Sequence, residues 1–573
     1  MSKSLPPVGT GQDGRCPAAV PVIPLWLLLC LCAAFVLPGL IGHDPWKQDE
    51  TYVFDIIRHV LHTGDWVVPM MAGKPFMEKP PLYYLVAAGC ARMFSPWLAL
   101  PDAARLASGF FTVLTLWFAG LTARELWGRG YGARTVLVLT ACLGLPVDAH
   151  EMVTDVALLC GFSVAFYGLA LTRRRAVLGG LLLGTGVGIG FMSKGLFAPG
   201  IVGLVALLLP LVFRPWRSRG YALSLAVAMA AAMPWLVIWP YALYQRSHEL
   251  FMTWFWMNNL GRYFGFANLG ARNTVSAYFL RILVWFAWPA WPLAGWALWR
   301  ERGAIGRQPA LQLGLLAALV MLAVLSLSSV ARDLYALPIL LPLALLAGRS
   351  VDSLPPAVAR LSFRVSAVLF GALGLLVWTV WVAMMIRHAT PRLPVLSYYL
   401  PASFKPHFQP VALAGAVILT VIWLSVLGRW RGTGLAAVCS WMVGVTLVWG
   451  LLATLWLPWI NDAKSYRSMM ASLTRALPAH VSCLAGQGVD ESQRAMLDYY
   501  DGILVRQANS SASAHCNALL VEARHRWRHV APGFQWREIW RGSRPGDRGE
   551  RDFLFGRRNR IVALTGGGGR LNP

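Results

Sequence analysis

Negative charge is what this sequence has least of. Only 26 of its 573 residues are Asp or Glu, against 51 Lys and Arg, and charged residues of both signs make up 13%. Soluble globular chains carry about 25%, so a soluble enzyme is excluded. Polar stretches that would build a soluble basic face are also scarce. The formal net charge of +25 therefore does not mark a nucleic-acid partner. There are nine cysteines, seven of them in or near apolar segments, at spacings that suggest neither zinc nor a redox pair. The strict apolar–polar alternation of a membrane β-barrel is missing. No cleavable signal peptide is evident either, because residues 1–19 are polar and the apolar run 21–42 is too long for its core.

Apolar runs are abundant. The chain is 57% hydrophobic, its mean hydropathy is +0.54, and runs of about 20 apolar residues recur from residue 21 to residue 460. Lipid offers the backbone no partners, so such runs fold as helices. The fold class expected is an all-α polytopic membrane protein. Lys and Arg collect in short loops at 124–134, 173–175, 214–219, 300–307, 349–364 and 429–431, which assigns those loops to the cytoplasm. If both 82–97 and 105–123 crossed, every later basic loop would face outward. Residues 82–97 are therefore expected as a juxtamembrane or re-entrant helix on the outer side. About thirteen crossings follow, at about 21–42, 103–123, 135–149, 152–171, 176–192, 195–213, 221–243, 276–298, 309–330, 334–347, 364–386, 410–428 and 434–458. A cytoplasmic tail (1–20) precedes a membrane domain (21–460) whose first external loop is 43–102. Residues 461–573 read as a small external α/β domain with a flexible basic end. Cys483 and Cys516 lie in that domain, and spacing does not decide whether they pair.

The few acidic residues are not spread evenly. Residues 43–81 carry Asp49, Glu50, Asp55, Glu78 and, beside the last, Lys79. Asp155, Lys194, Arg332 and Tyr335 fall at the same outer level on this topology. Ionisable groups at membrane depth default to functional hypotheses. Singly, each has a structural reading of at least equal weight. Asp49 or Glu50 caps the helix that begins near Thr51, a reading favoured for Glu50. Lys79 snorkels, Glu78–Lys79 is a solvated pair, and Asp155 serves a helix end. Together, carboxylates and separated cations on one face suit sugar transfer from a phosphate leaving group. A carboxylate acts as general base or stabilises charge on the sugar, while Lys and Arg neutralise the departing phosphate.

The segment DETYVFDIIRHVLHTGDWVVPMMAGKPFMEKPPLYYL resembles the first external loop of the bacterial lipid A aminoarabinose transferase family. That family belongs to the protein O-mannosyltransferase-like membrane glycosyltransferases of GT-C fold. DAARLASGFF, FMSKGLFAPGI, DLYALPILLPLALLAG and LPWINDAKSY are similar to later family segments, so the likeness spans about residues 21–475. It implies a transferase that moves an amino sugar from an undecaprenyl-phosphate carrier to lipid A at the periplasmic face of the bacterial inner membrane. It also implies roles: Asp49 and Asp155 as catalytic acids, and Glu78, Lys79, Lys194, Arg332 and Tyr335 around the lipid-linked phosphate. Arg262 keeps a family Arg.

Two departures stand out. Tyr52 occupies a position where the family usually has Arg. Asn259, beside Asn258 in FWMNNLGRYF, stands where the family has a His associated with a metal. An amide oxygen is a poor substitute for imidazole at zinc, so a divalent metal at Glu78 is in doubt and no cofactor is certain. Direct displacement with inversion is expected, since one carboxylate is strongly placed. Two alternatives stay open: a related transferase acting on a protein or another surface glycan, and a lipid-linked sugar flippase. The flippase predicts inverted repeats and midplane polar groups, which the sequence does not show.

Overall fold

Each of the thirteen apolar stretches contains helix. The computed structural model describes residues 23–267, 277–388, 390, 394–401, 404–429, 432–478, 481–508, 513, 515–524 and 535–557. The expected tail at 1–20, the basic turn at 430–431 and the basic end after 557 lie outside the described residues. The first half runs α1 (Leu25–Val36), α2 (Asp49–Thr63), α3 (Leu82–Phe94), α4 (Leu100–Trp127), α5 (Tyr131–Ala141), α6 (Thr154–Leu171), α7 (Ala176–Lys194), α8 (Phe197–Val212) and α9 (Arg219–Arg246). Long apolar helices follow at Pro309–Leu327, Asp333–Ser353, Pro356–Arg387, Pro410–Gly428 and Gly434–Leu452.

Nine described helices are long and apolar enough to cross a membrane. A tenth span arises if Tyr278–Phe286 and Ala290–Arg300, bent by 97°, count as one. The expected thirteen are not all reached, because α1, α5 and α8 stop short. Pro24 precedes α1 and Pro38 follows its end; α5 ends in the turns of CLGLP; Pro210 lies inside α8. Proline removes a backbone donor and ends or kinks a helix. α3 has 13 residues, about 20 Å at 1.5 Å per residue, too short for a core of about 30 Å.

α6 and α7 pack backbone against backbone. A Cβ on Gly161 would sit 2.6 Å from the backbone N of Gly190, and one on Gly168 would sit 2.4 Å from that of Leu183. Small residues let membrane helices approach backbone to backbone. This antiparallel pair brings the start of α6 beside the end of α7, and so Asp155 beside Lys194.

After the last long helix, the C-terminal domain forms a five-stranded sheet. Its strands are β1 (Leu484–Gln487), β2 (Val505–Gln507), β3 (Ala518–Arg524), β4 (Trp536–Gly542) and β5 (Glu550–Arg557), in the order β2-β1-β3-β5-β4. The first three pair in parallel and the last two add antiparallel, which makes this the small α/β unit expected. Cys483 and Cys516, just before the starts of the parallel neighbours β1 and β3, form a disulfide with their Cα atoms 4.7 Å apart. The helix Glu491–Asp501 of this domain packs on α2, with Phe54 edge-on to Tyr499 at 4.8 Å.

Candidate active site

α2 opens on two adjacent carboxylates with different partners. Glu50 is sealed. Its Oε1 accepts from Arg105 Nε at 2.8 Å and from the Met152 N–H at 3.0 Å, and its Oε2 accepts from the Trp46 N–H at 3.1 Å. Arg105 is fully buried and also donates to Asp102 and to the carbonyls of Leu40 and His43. Glu50 thus has a structural place, but not the helix cap expected of it: no side chain caps α2, and Glu50 instead ties Trp46, Arg105 and Met152 together.

Asp49, 6% exposed, accepts from the Tyr52 hydroxyl and from both terminal nitrogens of Arg332. Burial works to raise its pKa. The Lys79 ammonium, the Arg332 guanidinium and the Tyr52 hydroxyl outweigh burial and hold the carboxyl well below the usual range. Asp49 is therefore an ionised carboxylate at neutral pH.

Lys194 and Asp155 form an ion pair between the end of α7 and the start of α6. Each sits at the helix end whose dipole favours its charge. Asp155 Oδ2 is buried without a hydrogen-bond partner among the described residues. Lys194 Nζ also lies 3.7 Å from the centroid of the Tyr335 ring, a cation–π contact. Gly195, at φ +63, makes the turn into α8, and a Cβ there would collide with Asn259 Oδ1 at 2.0 Å.

Arg262 follows a π-helical stretch, Thr253–Gly261, a distortion that often marks functional sites. It grips Glu78 with two parallel bonds of 3.0 and 2.8 Å. A cavity of about 350 Å³ gathers these groups: Glu78, Lys79, Lys194, Asn259, Arg262 and Tyr335 line it. Phe197, Ile201 and Leu325 supply apolar wall. Lys79 joins the cavity to Asp49, since its ammonium lies 5.8 Å from the Tyr52 ring and its charge acts on Asp49. All nine residues singled out in the sequence fall in this one neighbourhood.

Comparison with known proteins now bears on this arrangement. The family described as dolichyl-phosphate-mannose-protein mannosyltransferase matches residues 78–239. An undecaprenyl phosphate-alpha-4-amino-4-deoxy-L-arabinose arabinosyl transferase of Pseudomonas paraeruginosa is 30% identical over 446 residues, covering 75% of this chain and 74% of the relative. One of Pseudomonas aeruginosa is 31% identical over the same length and coverage. The chain belongs to this arabinosyl transferase family. The fold agrees with the crystal structure of ArnT from Cupriavidus metallidurans bound to undecaprenyl phosphate, with a TM-score of 0.65 at 19% identity, covering 92% of this chain and 97% of that one. The transferase is thus a multi-pass membrane glycosyltransferase with a C-terminal sheet domain.

The metal expectation meets a poor donor set in this transferase. Both Glu78 oxygens are engaged by Arg262. The Asn259 amide oxygen already accepts the Leu196 N–H at 3.0 Å. A carboxylate bound to a guanidinium and an amide already bonded do not fit a divalent ion.

Sequence reasoning missed two features. Glu151, just before Asp155, is pushed up to about 8 by burial, with the charges of Glu50 and Asp49 adding. Its place in HEMVTD was the available signal. Lys47, two residues before Asp49, reaches the C-terminal domain and pairs with Asp490 at 2.6 Å and Glu550 at 2.5 Å. With Glu522 these two form the one carboxylate group of ligating geometry among the described residues, and Lys47 places an ammonium there. Nothing in the local sequence announces a contact across more than 400 residues.

Proposed function

We propose that this transferase moves 4-amino-4-deoxy-arabinose, or a closely similar amino sugar, from undecaprenyl phosphate to a phosphate of lipid A, at the periplasmic face of the inner membrane. The observation that carries this reading is an ionised, buried Asp49 adjoining, through Lys79, a cavity that holds three cations. The names of the relatives supply the substrate class. The disulfide in the C-terminal domain supports an oxidising compartment on that side. The basic turns after α4, α6 and α8 join helices at the opposite ends from Asp155 and Lys194, as the positive-inside rule requires of a periplasmic site.

In this reading the donor phosphate sits among Lys79, Arg262 and Lys194. A phosphate oxygen of the acceptor attacks the anomeric carbon, the bond from that carbon to the donor phosphate oxygen breaks, and undecaprenyl phosphate leaves with the electron pair. Configuration inverts. The cations stabilise the charge gathering on the leaving phosphate, and Asp49 stabilises the positive charge on the ring. Asp155 holds Lys194 in place. Glu78 holds Arg262, and the phosphate competes for the same guanidinium. The test is lipid A mass in a deletion strain, complemented with the native chain and with Asp49→Asn. The native chain restores an amino-sugar mass increment and Asp49→Asn does not. Unchanged lipid A in the deletion strain, together with an altered glycoprotein or glycan profile, moves the acceptor elsewhere.

A further inference from the structure

The structure holds a second, larger cavity that the proposed chemistry leaves unused. It measures about 920 Å³, lies between α1 and the helix Pro410–Arg429, and shares no lining residue with the cavity beside Asp49. We infer that this groove seats the acyl chains of the acceptor lipid, with the acceptor's phosphate held at Arg467.

The groove is lipid-shaped. Its walls are thinned by Ala33, Ala34, Ala412 and Gly415, and its mouth is apolar. Leu37, Ile41, Val411 and Ile418 line it while being 47–84% exposed. In a membrane protein those exposed faces meet hydrocarbon. On Pro410–Arg429 the lining runs from Val411 to Ile422, a rise of about 16 Å. That is about half of a 30 Å core, the depth of one leaflet. An acyl lipid with its head at the surface fits this depth, whereas a long polyprenyl tail exceeds it.

The other end is polar. Asp44, His407, Asn461, Asp462, Ser465 and Arg467 line it. Arg467 uses Nε and Nη2 on Asp44, at 3.2 and 2.5 Å. Its Nη1 has no hydrogen-bond partner among the described residues, and its side chain is 64% exposed. Asp44 is thereby neutralised, and a guanidinium edge is left to receive a phosphate. Asp462 is a second carboxylate at this end, and burial pushes its carboxyl up. The polar end is tied to the first loop. Asn461 Oδ1 accepts from the Asp44 N–H and from Trp46 Nε1, both at 3.0 Å. A lipid head at Arg467 therefore lies against the strand of chain that leads into Asp49, while the donor occupies its own cavity.

The inference rests on the proposed transfer between two lipids, and the experiment separates the two. The full chain is placed in nanodiscs of phosphatidylethanolamine, phosphatidylglycerol and hexa-acyl lipid A, and the lipids retained after purification are measured by mass spectrometry. Gly415→Trp and Ala412→Leu fill the groove. A Cβ at Gly415 meets only Thr454 Cγ2, at 3.5 Å, so a larger side chain has room to enter. The native protein should retain lipid A at several times its share of the disc, and both variants should lose that enrichment. In the transfer assay their KM for lipid A should rise about tenfold with the KM for the donor unchanged. Retention of phospholipid alone, or an unchanged lipid A KM in a folded variant, overturns the inference. Lipid A enrichment without any sugar transfer leaves the groove standing and removes the proposed function. If neither variant folds, the composition retained by the native protein decides.

Discussion

Arg332 holds the Asp49 carboxylate with both terminal nitrogens of its guanidinium, although 283 positions separate the two in sequence. Tyr52, one turn along α2, donates to Oδ1 of the same carboxylate. The related family usually places Arg at that turn. Here the charge partner comes instead from the loop before Asp333–Ile339, and the α2 position carries a phenol. The cation beside the acid is thus supplied across the fold and not from α2 itself.

A charge swap tests this. Asp49→Asn should lower kcat about 10²–10³-fold, the range for losing one preorganised electrostatic group, and should lower the Tm as well, because the ionised carboxylate is stabilised by its partners in the fold. Arg332→Met should cost about tenfold or more in kcat/KM, as expected for a charge-assisted bond. Adding Tyr52→Arg to Arg332→Met should recover most of that loss. An equal deficit in the double variant, measured by transfer to lipid A, would show that the two positions are not interchangeable.

Lys47 offers a second test. It lies two residues before Asp49, and Asp490 and Glu550 hold its ammonium. Ser492 Oγ adds a bond to the Gln48 carbonyl at 3.3 Å, and Arg58 pairs with Asp498 further along α2. The C-terminal domain therefore grips α2 on both sides of Asp49. Lys47→Met removes the buried ammonium that Asp490 and Glu550 hold and should cost about 3 kcal/mol, seen as a lower Tm and faster proteolysis of the C-terminal domain. Lys47→Glu combined with Glu550→Lys should restore part of it. A Tm for Lys47→Met equal to the native value would show that the contact is incidental.

These two contacts also mark where sequence reading ends. The helical class, an α3 too short to cross and the gathering of Asp49, Lys79, Lys194 and Arg332 all follow from hydropathy, charge asymmetry and motif. Those signals are local, or are imposed by the bilayer. Which partner each charge takes is a matter of tertiary geometry. Glu78 and Lys79 are sequence neighbours, yet Glu78 turns to Arg262 and Lys79 acts on Asp49. The short α1, α5 and α8 mislead a count based on apolar length, because an apolar segment continues past the prolines and turns that end the helix. The groove beside α1 leaves no trace in sequence, since alanines and glycines in membrane helices serve packing as readily as a cavity.

Glu50 and Arg105 make a prediction about folding rather than chemistry. Arg105 has no exposed surface, and Glu50 is 1% exposed. Removing one partner of a buried pair leaves an uncompensated charge and costs about 3–5 kcal/mol. Arg105→Leu should therefore lower the yield of folded protein and its Tm sharply, whereas Asp49→Asn, whose partner Arg332 is partly exposed, should lower them less and keep the protein folded. If Arg105→Leu is stable but inactive, Glu50 belongs with the reacting groups.

Asp552 sets a pH dependence in the C-terminal domain. It is 1% exposed, and both its oxygens accept from Gln493 Nε2 at 3.0 Å. Burial pushes its carboxyl up to about 8, and the charges of Glu522, Asp490 and Glu550 add to the shift. The unfolded chain releases that proton near pH 4. Between pH 4 and 8 the folded state thus holds a proton that the unfolded state has lost, and stability falls as pH rises, by up to about 1.4 kcal/mol per unit. The contribution is complete below pH 4 and exhausted above about 8. Asp552→Asn keeps a neutral group in place and should flatten the slope between pH 5 and 8. Denaturation curves of the C-terminal domain within the full chain, taken across that range, provide the measurement. Parallel slopes for the native protein and Asp552→Asn would assign the pH dependence to another group.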